Sequence, residues 1–166
     1  MSEDINRIGY EVLGNRFHFL MFDNDRTIPV LEQNGLKYDC TLGFADHIGF
    51  RRGVCYPFYL FNFEESHISE ILEFPLLIMD TTLDHSRYMG LSPAQSMDPV
   101  LKLLNEVTKF NGVFTLLWHN TYFAPFKYRG WDAIYRQILA KCKEQNARMT
   151  SAKSLYRHYL KLETSI

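Results

Sequence analysis

The sequence has few cysteines and no long apolar run. Its 166 residues include 3 cysteines, Cys40, Cys55 and Cys142, and no Cys-x-x-Cys pair. Widely spaced cysteines in odd number argue against a disulfide framework or a zinc knuckle and favour reduced thiols. No apolar run approaches the roughly 18 residues of a membrane span, and the polar, acidic start MSEDINRIGYEVLG is not typical of a signal peptide. We therefore expect a cytoplasmic protein without a membrane partner.

An excess of charge of one sign is also lacking. The chain has 18 Lys and Arg against 19 Asp and Glu, a net charge of −1. Such a balance gives no electrostatic reason to expect a nucleic-acid partner or an anionic membrane surface. Aromatic residues, by contrast, make up 15% of the chain. Aromatic side chains fill protein cores and also line sugar-binding clefts, and composition does not distinguish these uses.

The patterns of apolar, glycine and proline residues predict one α/β domain over residues 1–166. Strands and helices alternate along most of the chain, which favours parallel strands, and an aromatic-rich stretch at 45–70 is predicted to be mainly loop. No glycine-rich phosphate loop follows a strand. The predicted helices are 2–14, 27–35, 92–112, 129–146 and 154–163, and the predicted strands are 16–22, 36–44, 71–80, 112–118 and 147–152.

Polar residues lie at or near the carboxyl ends of several predicted strands, where parallel α/β folds gather their active sites. Asp39 lies in the second strand, Asp80 ends the third, and His119 ends the apolar stretch GVFTLLWHN at 112–120. A carboxylate beside an imidazole fixes its tautomer for acid–base catalysis. Each residue also has a structural alternative: Asp39 as a polar strand residue, Asp80 as a turn cap, and His119 as a histidine at a loop start.

Three segments together resemble a known family: YDCTLGFADHIGFRRGVCYPF (38–58), EFPLLIMDTTL (73–83) and GVFTLLWHN (112–120). They are similar to the second half of a polysaccharide deacetylase-like domain, the NodB-homology type of carbohydrate esterase family 4, and to a bacterial subgroup of it. The resemblance covers roughly residues 10–160. It implies a partial (β/α) barrel of about five mostly parallel strands with helices outside, corresponding to the C-terminal half of the family's barrel.

The resemblance also implies roles for individual residues. Family members are metal-dependent hydrolases that remove acetyl groups from sugars. Arg51 matches the arginine of the third family motif, Asp80 the aspartate that tunes the catalytic acid, and His119 the histidine of the last motif. Asp39 and His47 match positions of the subgroup. The candidate catalytic residues are thus His119, Asp80, Arg51 and Asp39, and the candidate substrate-binding residues are His47, Trp118, Asn120 and Phe58.

The chain departs from the family at its metal site. The Asp-Asp strand end and the His-x-x-x-His motif, which supply the base and the metal ligands, are both missing, since no two of the 6 histidines are four residues apart. MFDND at 21–25 is similar to the first motif only superficially, because it lies on the wrong strand. No metal ligand can be assigned, and zinc or a similar divalent metal is expected only if a partner supplies ligands.

Three functions therefore stay open for this sequence. The chain could be a truncated or non-catalytic deacetylase-like protein, or the C-terminal half of a split deacetylase that another chain completes. It could also be a carbohydrate-binding or partner-binding module that uses the aromatic stretch 56–63. An open half-barrel exposes sheet edges, and exposed edges usually pair or are covered. We therefore expect a homodimer or a complementary N-terminal half as partner, and an acetylated sugar or polysaccharide as substrate or ligand.

Overall fold

The structure is a computed structural model that describes residues 11–163. Within them the chain forms two compact units. The first contains Pro57–Phe74 and the described parts of Met1–Leu42 and Thr150–Ile166, and the second contains Gly43–Tyr56 and Pro75–Met149. The prediction of a single domain stays a prediction. In chain order the elements are β1 (Gly14–Asn15), α1 (Asn24–Gln33), β2 (Tyr38–Asp39), β3 (Phe58–Asn62), β4 (His67–Glu73), β5 (Ile78–Met79), α2 (Asp80–Asp84), α3 (Pro93–Lys109), β6 (Leu116–Leu117), α4 (Trp131–Glu144) and α5 (Ala152–Glu163).

The first unit is built on a four-stranded sheet with the order β1-β2-β4-β3. The pairs β1–β2 and β2–β4 are parallel, whereas β3 and β4 form an antiparallel hairpin. One cluster of buried apolar side chains includes Ile28, Leu31 and Ile71, and another includes Phe74 and Tyr156. Both clusters bury the apolar sides of helices against the sheet, which stabilises them through the hydrophobic effect.

The second unit is built on a two-stranded parallel sheet and two long helices. Strand β5 pairs with β6 in the register Ile78–Leu116 and Met79–Leu117. The core of the second unit combines side chains that follow β5, such as Leu83, with side chains of α3 and α4, such as Val100 and Ile138. The α/β class with mostly parallel strands is therefore confirmed. Neither sheet closes into a barrel within residues 11–163, so the partial barrel stays a prediction.

The three long predicted helices in the second half of the chain are confirmed with small shifts at their ends. Helix α3 begins after Ser92, as predicted, with Pro93 in its first turn. The side chain of Gln95 reaches back to this start, where its Oε1 accepts a hydrogen bond of 3.0 Å from the Ser92 N–H. This reciprocal arrangement is a capping box, which satisfies backbone donors that the helix itself leaves unpaired.

The first half of the chain shows the larger differences. The strand predicted over 16–22 is wrong, because this segment contains a 3₁₀ turn over His18–Leu20 in which Phe19 and Leu20 have φ of 56° and 52°. The helix predicted over 2–14 lies mostly outside the described residues, and Gly14 belongs to a strand. Helix α1 begins earlier than predicted because the Asp23 carboxylate accepts hydrogen bonds from the N–H groups of Asp25 and Arg26.

The aromatic stretch at 45–70 is mainly loop, as predicted, but it also contains β3 and the start of β4, which the sequence did not predict. The turn between these strands has no Asn-Gly or Asp-Gly signal, and its left-handed residue is Ser66, with φ of 53°. The strand predicted over 71–80 is interrupted around Pro75, whose nitrogen cannot donate to a strand ladder. The strand predicted over 147–152 is not formed. Among the described helices, none has the length and apolar character of a membrane span.

Candidate functional site

The pairing of β5 with β6 places the ends of both strands side by side, and it brings Asp80 to His119. The His119 Nδ1 atom lies 2.7 Å from Asp80 Oδ1. The backbone N–H of His119 donates a second hydrogen bond, to Asp80 Oδ2. The Asp80 side chain is fully buried, whereas 42% of the His119 side chain is exposed. We refer to these two residues as the dyad.

The Asp80 carboxylate also accepts hydrogen bonds from the neighbouring residue, Thr81. Thr81 donates to Oδ1 from its backbone N–H and, over 3.1 Å, from its hydroxyl. An ionised carboxylate only accepts hydrogen bonds, so in a neutral His119 ring the proton belongs on Nδ1. The Nε2 atom is then the ring nitrogen that can take up or deliver a proton. The dyad therefore has the geometry of an oriented acid–base histidine.

A buried tyrosine lies next to the dyad and was not predicted from the sequence. The Tyr122 hydroxyl donates to Asp84 Oδ2 over 3.1 Å. Burial raises the pKa of Tyr122 well above its usual range, and the charges of Asp84 and Asp80 act in the same direction. The hydroxyl therefore stays a neutral donor. The sequence does contain a signal for its proximity to His119, because Tyr122 follows His119 by three residues, which is the spacing of one helical turn.

Two of the predicted substrate-binding residues flank His119 in the chain. Trp118 packs against Tyr122, Trp131 and Tyr135, with ring centroids 5.5 to 6.2 Å apart. Its indole N–H is buried and has no hydrogen-bond partner in the part of the chain that the structure describes. Asn120 is exposed and begins a short 3₁₀ helix. Trp118 thus supports the aromatic packing behind the dyad, and Asn120 is accessible to a ligand.

Arg51 and His47 lie in the segment Gly43–Tyr56 of the same unit. Arg51 is exposed, and its Nη1 donates to the backbone carbonyl of Gly43 over 2.9 Å. His47 stacks on Phe44 with a centroid distance of 3.8 Å, and its Nδ1 lies 2.9 Å from Asp46 Oδ1. Within residues 11–163 neither side chain forms a hydrogen bond with the dyad.

Asp39 and Phe58 belong to the first unit. Asp39 is fully buried, and its carboxylate accepts hydrogen bonds from Asn15 Nδ2 over 2.9 Å and from the Thr41 N–H over 2.8 Å. Phe58 is half-buried in β3 and packs against the core that includes Ile28. A position inside the core suits a structural role for Phe58 better than contact with a substrate.

The partner of Asp39 is Glu73, which the sequence analysis did not identify. Glu73 occupies the same register position on β4, and it is fully buried. Its Oε1 accepts a 2.9 Å hydrogen bond from the Leu42 N–H, whereas Oε2 is buried and, among residues 11–163, accepts no hydrogen bond. Burial and the adjacent Asp39 charge raise the pKa of Glu73 to about 9. The pair therefore holds a proton at neutral pH and, being closed to solvent, offers no access to a substrate.

The residues around His119 do not fit the metal of the resembled family. The Asp80 carboxylate is engaged by hydrogen bonds from Thr81 and His119. Within residues 11–163 the one group of three potential metal ligands is Glu32, Glu65 and His67, which lies in the first unit. The dyad by itself can therefore orient a ligand and exchange a proton.

Comparisons of the chain with protein-family models, with curated proteins and with solved structures gave no match.

Proposed function

We propose that the chain is a non-catalytic polysaccharide deacetylase-like protein, which binds acetylated sugars through the His119–Asp80 dyad and does not hydrolyse them by itself. The observation that supports this proposal is the 2.7 Å contact between a half-exposed imidazole and a fully buried carboxylate. The motifs that contain these two residues are also those that resemble the deacetylase family.

The dyad accounts for proton exchange but not for hydrolysis. With its Nδ1 held by Asp80, His119 presents Nε2 to a ligand and can donate a hydrogen bond from it when protonated. The chain has no Asp-Asp strand end for the base and no His-x-x-x-His for the metal. A bound metal contributes several kcal/mol of transition-state stabilisation in such hydrolases and also generates the nucleophile. The remaining residues therefore suit binding better than turnover.

The test is a titration with the N-acetylglucosamine tetramer, followed through the ring signals of the histidines by NMR. We expect saturable shifts at His119. Because a hydrogen bond to a charged group contributes about 1.5–3 kcal/mol, His119→Ala should weaken binding roughly tenfold or more. His85→Ala is the matched control, since His85 is an exposed histidine of the same unit, and its ring Nδ1 accepts a hydrogen bond from the nearby Arg87 N–H.

Acetate release, measured in the same samples, separates binding from hydrolysis. We expect none above the buffer rate from the chain alone. Acetate release that depends on His119 would show that the chain is a complete enzyme. If the tetramer causes no shift at His119, or binds the His119→Ala variant equally well, the proposed sugar site is refuted.

A second candidate is the C-terminal half of a split deacetylase, and the dyad favours it as well. The buried Asp80 carboxylate accepts hydrogen bonds from His119 and from Thr81. In a split enzyme this arrangement would orient the His119 imidazole as the proton donor. The test adds a separately produced chain that contains an Asp-Asp strand end and a His-x-x-x-His motif. Restored acetate release that His119→Ala abolishes supports this candidate, and absence of complex formation rejects it.

The sheet of the first unit is consistent with a partner, which we propose to be a second copy or that complementary half. Within residues 11–163 its outer strand β3 has one neighbour, β4, and the side chain of Phe61 is 41% exposed. Open edges of this kind pair readily with further strands. Light scattering after size-exclusion chromatography should show a dimer at micromolar concentration. A monomer at all concentrations would exclude the second copy and leave the complementary half as the proposed partner.

A further inference from the structure

Three potential metal ligands from separate segments converge at one corner of the first unit. Glu32 lies in the last turn of α1, Glu65 in the turn after β3, and His67 at the start of β4. One ligand atom of each lies within 4.8 Å of the others. His67 Nε2 is 3.1 Å from Glu32 Oε1, and His67 Nδ1 is 3.6 Å from Glu65 Oε2. The cluster therefore combines an imidazole with two carboxylates and is not only an accumulation of acidic groups.

A buried polar scaffold holds the ligands of this cluster in place. The Asn62 side chain is 1% exposed and bonds in two directions. Its Nδ2 donates to Glu32 Oε2 over 2.8 Å, and its Oδ1 accepts the Glu65 N–H over 3.1 Å. One buried amide thus positions both carboxylate residues. Hydrogen bonds of this kind orient the ligands of metal sites, and their loss weakens metal binding.

The environment of Glu32 suits a cation ligand. Its side chain is only 23% exposed, so solvent screens its interaction with a bound cation less than at an open surface. The side chain of Glu65 is 69% exposed and that of His67 is 43% exposed, so the corner is accessible from solvent.

We propose that Glu32, Glu65 and His67 form a binding site for a divalent transition-metal cation, with Zn²⁺ as the favoured ion. One imidazole nitrogen and two carboxylates are ligands that Zn²⁺ accepts, and three protein ligands leave a position open for water. Binding requires the His67 ring to give one nitrogen to the cation in place of its present bond to a glutamate. None of these residues belongs to the dyad, so the site goes beyond the proposed function.

The test is a calorimetric titration of the chelator-stripped full chain with Zn²⁺, repeated with Co²⁺ and followed by visible absorption. We expect saturable binding of a single ion per chain. His67→Ala and Glu65→Gln should each weaken the binding at least about tenfold. The matched controls are His158→Ala and Glu70→Gln, which alter an exposed histidine and an exposed glutamate of the same unit.

Asn62→Ala tests the scaffold separately. We expect affinity for Zn²⁺ to fall about 10–100-fold, as for other outer residues of metal sites, while circular dichroism shows whether the unit remains folded. Glu65→Gln keeps the test valid even if Asn62→Ala unfolds the chain, because Glu65 is mostly exposed. The proposal is overturned if Zn²⁺ does not bind, or if both His67→Ala and Glu65→Gln leave the binding unchanged. The three residues would then form an ion-pair network only. A failed sugar titration leaves this result untouched.

Discussion

Asp39 and Glu73 lie directly opposite each other on the parallel strands β2 and β4, and both side chains are fully buried. Two adjacent carboxyl groups that are both buried from water cannot both ionise without a large cost in free energy. The asymmetry between them has a structural cause. Asp39 accepts hydrogen bonds from Asn15 and from Thr41, whereas Glu73 accepts one from Leu42. Glu73 is therefore the member that retains a proton.

This pair predicts that the free energy of unfolding decreases as pH rises. The pKa of Glu73 is raised from 4.5 to about 9, chiefly by burial. The folded chain thus keeps a proton that the unfolded chain releases, so the stabilising contribution is complete below pH 4.5 and is lost as pH rises towards 9. One proton gives a slope of at most about 1.4 kcal/mol per pH unit. Urea unfolding at several pH values measures it.

Glu73→Gln should remove most of this slope, because the amide has the same shape and does not titrate. We expect the variant to be more stable than the original chain at pH 8 and similar to it near pH 5. Glu70→Gln, at an exposed position on the same strand, is the control and should keep the slope. An unchanged slope in Glu73→Gln would show that Glu73 is not the group that titrates.

Asp80→Asn should destabilise the chain. The new amide places an NH₂ group against donors from Thr81 or His119, and a buried polar group without a partner costs about 1–3 kcal/mol. Asp98→Asn is the control, because Asp98 forms an exposed ion pair with Lys102 whose contribution is within about 1 kcal/mol. Urea unfolding compares the two variants. Equal stability of both would contradict the view that the dyad anchors the ends of β5 and β6.

Gly112→Ala should destabilise the second unit, because the backbone there lies against Cys55. A Cβ atom on Gly112 would lie 2.3 Å from the Cys55 Sγ and 3.0 Å from its backbone oxygen. Overpacking of this kind costs typically about 1–3 kcal/mol. A comparison with Gly53→Ala separates the clash from backbone strain, since Gly53 has φ of +73° but open space around it. The thermal midpoint of unfolding should fall further for Gly112→Ala.

The three cysteines should resist thiol reagents until the chain unfolds. Cys40, Cys55 and Cys142 are free and buried, with 5–6% exposure. Burial raises the pKa of all three thiols, that of Cys40 to about 12. Little thiolate is therefore present at pH 8, and the thiolate is the reactive form. Labelling with a chromogenic disulfide should be slow in buffer and complete in urea. Rapid labelling of the folded chain would indicate local opening.

The sequence by itself determined the features that depend on local order along the chain. The spacing of apolar residues, with Ser92 and Pro93 at its start, predicts α3, because caps and helical periodicity act within a few residues. Polar residues at predicted strand ends also indicate Asp80 and His119 as candidate site residues. The two residues are 39 positions apart, however, and only the register of β5 with β6 places them in hydrogen-bond contact.

Tertiary structure decided what depends on distant partners. The hairpin of β3 and β4 has no turn signal in its sequence, and its strands are stabilised by the neighbouring strand β2 and by packing against α1. Burial determines the surroundings of Asp39. Its fully buried carboxylate lies next to Glu73 and is not accessible to a substrate. The convergence of Glu32, Glu65 and His67 likewise arises from folding alone, since no local motif links a helix end to a hairpin turn.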